Sequence, residues 1–279
     1  MTASRIASDL DLDAIGQLAL RLARLAGSEM AAALGRPLEV HYKPTAETEH
    51  SLKDPVSEVD RAVEAALRAE IAARFPDHQV LGEEFANPPT EPDGVTWAID
   101  PVDGTANFIN GFPLFCGSIG VVKDGVPIAG ALWCASSHAL RAGVYHCVQG
   151  GPLMFEEKPV IPRRNAEVKR RLGGFRDASH RSPQRWEPRR TGSAAIECAF
   201  VAAGLMEVAQ FENPNVWDIA GGLALVRAAG GEAFARDPDG WKPLEAFTTE
   251  AADSDLRQWR KPMVVAAAGA GEALCKALG

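Results

Sequence analysis

Between residues 193 and 278 the chain alternates runs of helical and of strand character, and this alternation restricts its fold more than any other feature. The spacing predicts helices over 193–204, 218–229 and 271–278, with strands over 207–211, 232–235 and 263–268. Strands interleaved with helices in this way are sandwiched by them, which is α/β texture. The middle of the chain reads differently. Residues 79–81, 96–100, 118–122 and 128–134 are short apolar or alternating runs punctuated by Gly, Pro and Asp, the pattern of strands and turns, and 143–162 adds one or two more around Gly150 and Gly151. Near the N-terminus Leu12, Ile15, Leu18, Leu22, Leu25 and Met30 mark an amphipathic helix that Asp9 or Asp11 can cap and that Gly35 with Pro37 ends. A second helix spans 56–75, its apolar face built by Val59, Val63, Leu67 and Ile71 and its end set by Pro76. A polar connector, 43–54, joins the two, and a basic, proline-punctuated stretch, 163–190, reads as solvated surface between regions of different texture. The expected organisation is one compact unit with an α+β half over 1–155 and an α/β half over 156–279.

Composition narrows the function. A net charge of −8 argues against a nucleic-acid scaffold, which needs excess Lys and Arg, but leaves room for a small phosphorylated ligand if metal ions bring the positive charge. The five cysteines are scattered, with no C-x-x-C pair and no zinc-type spacing, so reduced buried thiols are expected. The six histidines form no spaced cluster either. Acids interrupt the first residues where a signal peptide needs an apolar stretch, and no run reaches the ~20 apolar residues of a membrane helix, so the expectation is a cytoplasmic protein.

The chemistry concentrates in 97–108, WAIDPVDGTANF. An apolar strand delivers Asp100, Pro101 is expected to stop the strand, and Asp103 with Gly104 is expected to form the turn. Two carboxylates three residues apart on such a turn can converge on one point, and hard cations such as Mg²⁺ favour carboxylate and carbonyl oxygens, so the Val102 carbonyl can join them. A solvated Asp-Gly turn explains the segment equally well when it is taken alone. Three other acidic features accompany it. Glu83 and Glu84 follow a short strand, where surface charge is the plain explanation. Asp218 opens an apolar helix, where it would serve as N-cap. Asp60 lies at the start of the second helix, which Ser57 or Asp54 can cap.

Their joint occurrence in this order resembles the inositol monophosphatase family of metal-dependent, lithium-sensitive phosphatases. The G-E-E element is Gly82, Glu83, Glu84; the D-P-[IVL]-D-G-T-x-N-F element runs from Asp100 to Phe108 without mismatch; the W-D-x-A-[AG]-G element runs from Trp217 to Gly222; D-x-V-[TS]-x-x-D runs from Asp54 to Asp60; and G-[ST]-A-A is Gly192, Ser193, Ala194, Ala195. The resemblance covers nearly the whole chain. It implies a layered α/β/α/β/α sandwich of the sugar-phosphatase type, and two or three Mg²⁺ ions held by Glu83, Asp100, the Val102 carbonyl, Asp103 and Asp218. It also implies a catalytic set of Asp60, Thr105 and Glu83, with Asp60 bonded to Thr105 to orient or deprotonate the attacking water. Substrate would be bound by Asp103, the N–H groups of Gly104 and Thr105, Ala194, Glu212 and Asp218. A homodimer with no membrane or nucleic-acid partner is implied as well. A phosphate monoester is dianionic and repels hydroxide, so the expected reaction is in-line attack by a metal-activated water, with no Cys or His nucleophile.

One position departs from the pattern. Inositol-specific members carry an acid seven residues before the Trp-Asp aspartate, where this chain has Phe211, with Glu212 one residue later. The resemblance implies inositol monophosphate or a related polyol or sugar phosphate as substrate, and this departure leaves phosphate hydrolysis intact while leaving the choice of substrate open. Histidinol phosphate, NADP, fructose 1,6-bisphosphate and a 3′-phosphoadenosine nucleotide are alternatives. A non-catalytic binding protein on the same fold is the rival of another class, and it predicts damaged catalytic positions, whereas Glu83, Asp100, Asp103, Thr105 and Asp218 are all intact.

Overall fold

The computed structural model describes residues 10–42, 55–90, 94–162, 165–176, 185–248 and 255–279. The first helix, α1 (Leu12–Ala33), starts where the Asp11 carboxylate accepts from the Ala14 N–H, and it buries Ile15, Leu18, Leu22 and Met30. Two short strands, β1 (Val40–Tyr42) and β2 (Pro55–Ser57), pair before α2 (Glu58–Arg74). Ser57 is the N-cap of α2, and Asp60 reaches back to the Ser57 N–H, 2.9 Å away, in a capping box. Asp54 and the 43–54 connector lie outside the described residues.

Seven strands follow in one sheet: β3 (Gln79–Gly82), β4 (Val95–Asp103), β5 (Cys116–Lys123), β6 (Val126–Cys134), β7 (Gly143–Val148), β8 (Met154–Phe155) and β9 (Lys158–Pro159). Only the β3–β4 pair is parallel; the rest is an antiparallel meander. A short helix, α3 (Thr105–Ile109), interrupts it after β4. The expectation that Pro101 stops β4 is corrected. The strand runs on to Asp103, because Pro101 and Val102 fall in a bulge where Asp100 pairs with Ser118 and Asp103 with Cys116, so proline's missing N–H is not needed by the ladder.

The second sheet has six strands in the order β11 (Trp186–Arg189), β10 (Arg171–Gly174), β12 (Val208–Phe211), β15 (Met263–Ala266), β13 (Glu232–Asp237), β14 (Gly240–Pro243). The 163–190 stretch is thus more than solvated surface, since β10 and β11 pair there in parallel, with Trp186 buried. Its charges mark the outer edge of a sheet, and the composition hid the strands. The strand expected over 232–235 is β13, whereas its hairpin partner β14 has no counterpart among the strands expected from the sequence.

Three helices complete the stack: α4 (Ala194–Ala202), α5 (Val216–Ala228) and α6 (Gly271–Leu278). Helices α1 and α2 cover the outer face of the first sheet, where Leu22, Val63, Ile71, Trp97 and Ile99 share one core. Helices α4 and α5 lie between the sheets, in a core that joins Leu81, Ala98 and Leu132 to Ala209, Met263 and Val265. Helix α6 closes the far face through Val208, Val264 and Leu274. The result is a five-layer α/β/α/β/α sandwich. Helix α5 is buried on nearly every side, as a middle layer requires. Glycines let it approach: a Cβ on Gly120 would fall 2.5 Å from the Gly221 nitrogen, and one on Gly222 would fall 2.4 Å from the Cys198 Cβ.

Candidate active site

Strand periodicity aims the central acid. Along β4, Trp97 and Ile99 point to α1 and α2 while Ala98 points to α4 and α5, so Asp100 shares the inner face with Ala98. The parallel register puts Gly82 beside Ile99, which brings Glu83 alongside Asp100 at the sheet's end. The close seat of α5 on the sheet delivers Asp218 from its first turn. One oxygen from each of Glu83, Asp100 and Asp218 lies within 4.8 Å of the other two.

Local donors fix each aspartate. Asp100 Oδ1 accepts from the Val102 N–H at 3.0 Å. Asp103 lies outside the tight triad, and its Oδ2 accepts from the Ser193 hydroxyl at 2.7 Å and from the Ala195 N–H, so it seats the N-terminus of α4. Asp218 is not the N-cap of α5, as expected from sequence, but its third residue. Asn215 is the cap, and Asp218 Oδ2 accepts from the Asn215 N–H at 2.8 Å. Asp218 precedes the apolar run and so fits a cap by sequence, whereas Val216 and Trp217 already belong to the helix. The Thr105 hydroxyl lies 3.0 Å from Asp60 Oδ1 and 2.9 Å from the Val102 carbonyl. It has one proton to give, so an ionised Asp60 competes with Val102 for it, while a protonated Asp60 donates to Thr105 and lets Val102 accept.

Burial and mutual repulsion set the electrostatics. Burial raises Asp100 well above the usual carboxylate range, and the charges of Glu83, Asp103, Asp218 and Asp60 raise it further. Burial pushes Asp103 up to about 7 against the pull of the Ser193 hydroxyl and the Ala195 N–H, and pushes Asp218 up to about 8 with help from Asp103's charge. Asp60 is raised too, first by burial and also by Glu83. Acids gathered so closely resist ionising together unless a cation joins them. Carboxylates beside a peptide carbonyl are hard oxygen donors, the set that Mg²⁺ prefers over softer metals.

Gly104 caps α3 at φ 91°, a left-handed conformation, and a Cβ there would press on the Leu114 carbonyl at 3.1 Å and on Ser193 at 3.2 Å. Asn107 ties the same corner together by donating to the carbonyls of Leu114 at 2.6 Å and Thr191 at 2.7 Å. Ala194, Glu212 and Asp218 line one cavity of about 290 Å³ between the N-terminus of α4 and the end of β12. Glu212 stands exposed at its rim, 3.7 Å from the Arg176 guanidinium.

Sequence reasoning missed Glu64. This fully buried carboxylate accepts from the Glu84 N–H at 2.7 Å and from Arg68 Nε at 2.8 Å. Arg68 in turn donates to Asn87 Oδ1 at 2.6 Å, and Asn87 Nδ2 donates to the Gly82 carbonyl at 2.7 Å. The loop that carries Glu83 is therefore held from behind. A Cβ on Gly82 would fall 2.2 Å from Glu64 Oε1, so glycine is needed there. The available signal was the i, i+4 Glu64–Arg68 pair on a helix whose buried face was already legible. Ser193 and Ala195 carried no signal as partners of Asp103, from which they are remote in sequence.

A family sequence model, that of the inositol monophosphatase family, matches residues 11–271. A probable inositol 1-monophosphatase of Mycobacterium tuberculosis is 35% identical over 207 residues, 68% of this chain and 74% of that one. A fructose-1,6-bisphosphatase/inositol-1-monophosphatase of Aquifex aeolicus is 32% identical over 230 residues, 77% of this chain and 85% of that one. The solved structure of an IMPase of Thermotoga maritima superposes with a TM-score of 0.72 at 25% identity, covering 95% of this chain and 96% of that one. These comparisons define a phosphoric monoester hydrolase. The chain belongs to the inositol monophosphatase family.

Proposed function

We propose that this chain is a Mg²⁺-dependent phosphatase of polyol or sugar monophosphates, inositol monophosphate or a close relative, with two or three ions held by Glu83, Asp100, the Val102 carbonyl, Asp103 and Asp218. The observation that carries this reading is the convergence of Glu83, Asp100 and Asp218 from three separate elements to within 4.8 Å, beside an open cavity. Bound divalent ions would neutralise the phosphate, lower the pKa of water and stabilise the leaving oxygen. The chain's own groups do the rest. Glu83 comes from the loop after β3 and Asp218 from α5, so separate elements bring their donors to Asp100. Thr105, between Asp60 and the Val102 carbonyl, is placed to hold and pass a proton at its Oγ1. The Gly104 and Thr105 N–H groups open α3 toward the same corner and would orient the phosphate. The cavity lined by Ala194, Glu212 and Asp218 would receive the leaving group.

The names of relatives that include fructose-1,6-bisphosphatase and inositol-1-monophosphatase support a sugar or polyol substrate. The same reading extends to lithium sensitivity, a homodimer and a cytoplasmic location. Among the described residues no helix is long and apolar enough to cross a membrane. Phosphate release should be measured from inositol 1-phosphate, fructose 1,6-bisphosphate, histidinol phosphate, NADP and adenosine 3′,5′-bisphosphate. The expected outcome is turnover of the first, abolished by chelator and restored by Mg²⁺. Turnover that survives complete demetallation would refute the mechanism.

A further inference from the structure

The cavity that Phe211 and Glu212 line at the end of β12 is also lined by a buried acid of α4. Phe211 ends β12 only 8% exposed, and Glu212 is engaged with Arg176 at the rim. Glu197, on α4 and 7% exposed, also lines this cavity. Its Oε1 is anchored by the Thr191 hydroxyl at 2.9 Å and the Thr191 N–H at 3.3 Å. Its Oε2 lies over Gly174, where a Cβ would come within 2.5 Å, so a side chain at 174 would displace the carboxylate. Helix α4 is the helix whose N-terminus Asp103 seats, so this acid is fixed relative to the acidic cluster.

We propose that Glu197 is a specificity-determining residue that takes a hydrogen bond from a hydroxyl of the leaving group, and that the leaving group is an uncharged polyhydroxyl one. The proposal rests on the phosphatase reading. Charge selects the class. The cavity carries both signs, Glu197, Glu212 and Asp218 with Arg176 and Arg190, so an anionic or an ammonium leaving group meets like charge as well as opposite charge. A neutral polyol can bond to groups of either sign and leaves no buried charge unpaired. Gln210, also on the cavity wall, adds an amide able to donate or accept. Burial pushes Glu197 up to about 7, so near neutrality it can serve a hydroxyl as acceptor or as donor.

The test compares the wild-type protein with Glu197→Gln and Glu197→Asp in Mg²⁺, using inositol 1-phosphate, phosphoethanolamine and p-nitrophenyl phosphate, whose leaving group has no other hydroxyl. A hydrogen bond from a hydroxyl to a charged group is worth about 1.5–3 kcal/mol, so the ratio of kcat/KM for inositol 1-phosphate to that for p-nitrophenyl phosphate should fall at least about tenfold in both variants. The loss should appear in KM for inositol 1-phosphate. An unchanged ratio, or an equal loss on both substrates at unaltered Tm, overturns the proposal and leaves Glu197 as a brace for Thr191. A wild type that prefers phosphoethanolamine overturns the substrate class while sparing the phosphatase reading. A wild type inactive on all three phosphates refutes the phosphatase reading itself.

Discussion

Asp100 is held on the inner face of β4 by strand alternation and by the Val102 N–H at 3.0 Å, so its position does not depend on its charge. The amide oxygen of asparagine can accept the same bond. Asp100→Asn should therefore fold normally by circular dichroism and lose turnover by on the order of a hundredfold or more, as expected when a metal ligand is removed. In chelator the variant should also melt higher than the wild type, because one member of a mutually repelling buried cluster is gone. Unchanged kcat in the variant would show that Asp100 has no part in the reaction. Thr105 belongs to the same scale. Its single proton, shared between Asp60 and the Val102 carbonyl, makes the protonation of Asp60 the local variable that decides which oxygen it serves.

At the scale of elements, function depends on what braces the loops. Helix α2 presents Asp60 to Thr105 and, one turn on, Glu64 to the loop after β3. A carboxylate accepts on both oxygens, whereas a glutamine turns an NH₂ toward one of the donors it faces, Arg68 or the Glu84 N–H. Glu64→Gln should weaken Mg²⁺ binding, read by titration calorimetry, by about ten- to a hundredfold, the usual effect of losing a group that orients a metal ligand. Equal Mg²⁺ affinity in the variant would reduce Glu64 to a packing role. Helix α5 shows the complementary device. Its glycines bring the backbone against β5 and β6, and that close seat carries Asp218 toward Asp100.

For the whole molecule, the acidic cluster makes stability depend on pH and metal together. The unfolded carboxylates titrate near ~3.9, whereas Asp103 and Asp218 in the metal-free fold titrate at about 7 and about 8. Folded-state values raised above the unfolded ones mean that the fold binds more protons. Their contribution to stability is fully present below ~4 and is lost progressively as pH rises through 7 and 8. In chelator, Tm should therefore decline between pH 5 and pH 9, and added Mg²⁺ should raise Tm more at pH 8 than at pH 5. A Mg²⁺ increment independent of pH, measured by scanning calorimetry in matched salt, would contradict the cluster's role as a cation site.

The local features were legible in the sequence because they depend on near neighbours. Helical spacing gave α1, α2 and α5 to within a few residues, and Gly104 followed Asp103 where the backbone needs φ 91°. Local rules also misled, since a proline reads as a strand end unless the partner strand supplies a bulge, and an aspartate before an apolar run reads as a cap until the helix is seen to begin earlier. The sequence by itself determined which chemistry is available, because carboxylate identity and order along the chain are covalent facts. Tertiary structure alone decided that Glu83, Asp100 and Asp218 converge, that Asp103 seats α4 as well as belonging to the cluster, and that Glu197 faces the cavity. Those relations are set by sheet register, by the approach that glycines allow between layers, and by burial, none of which is encoded between adjacent residues.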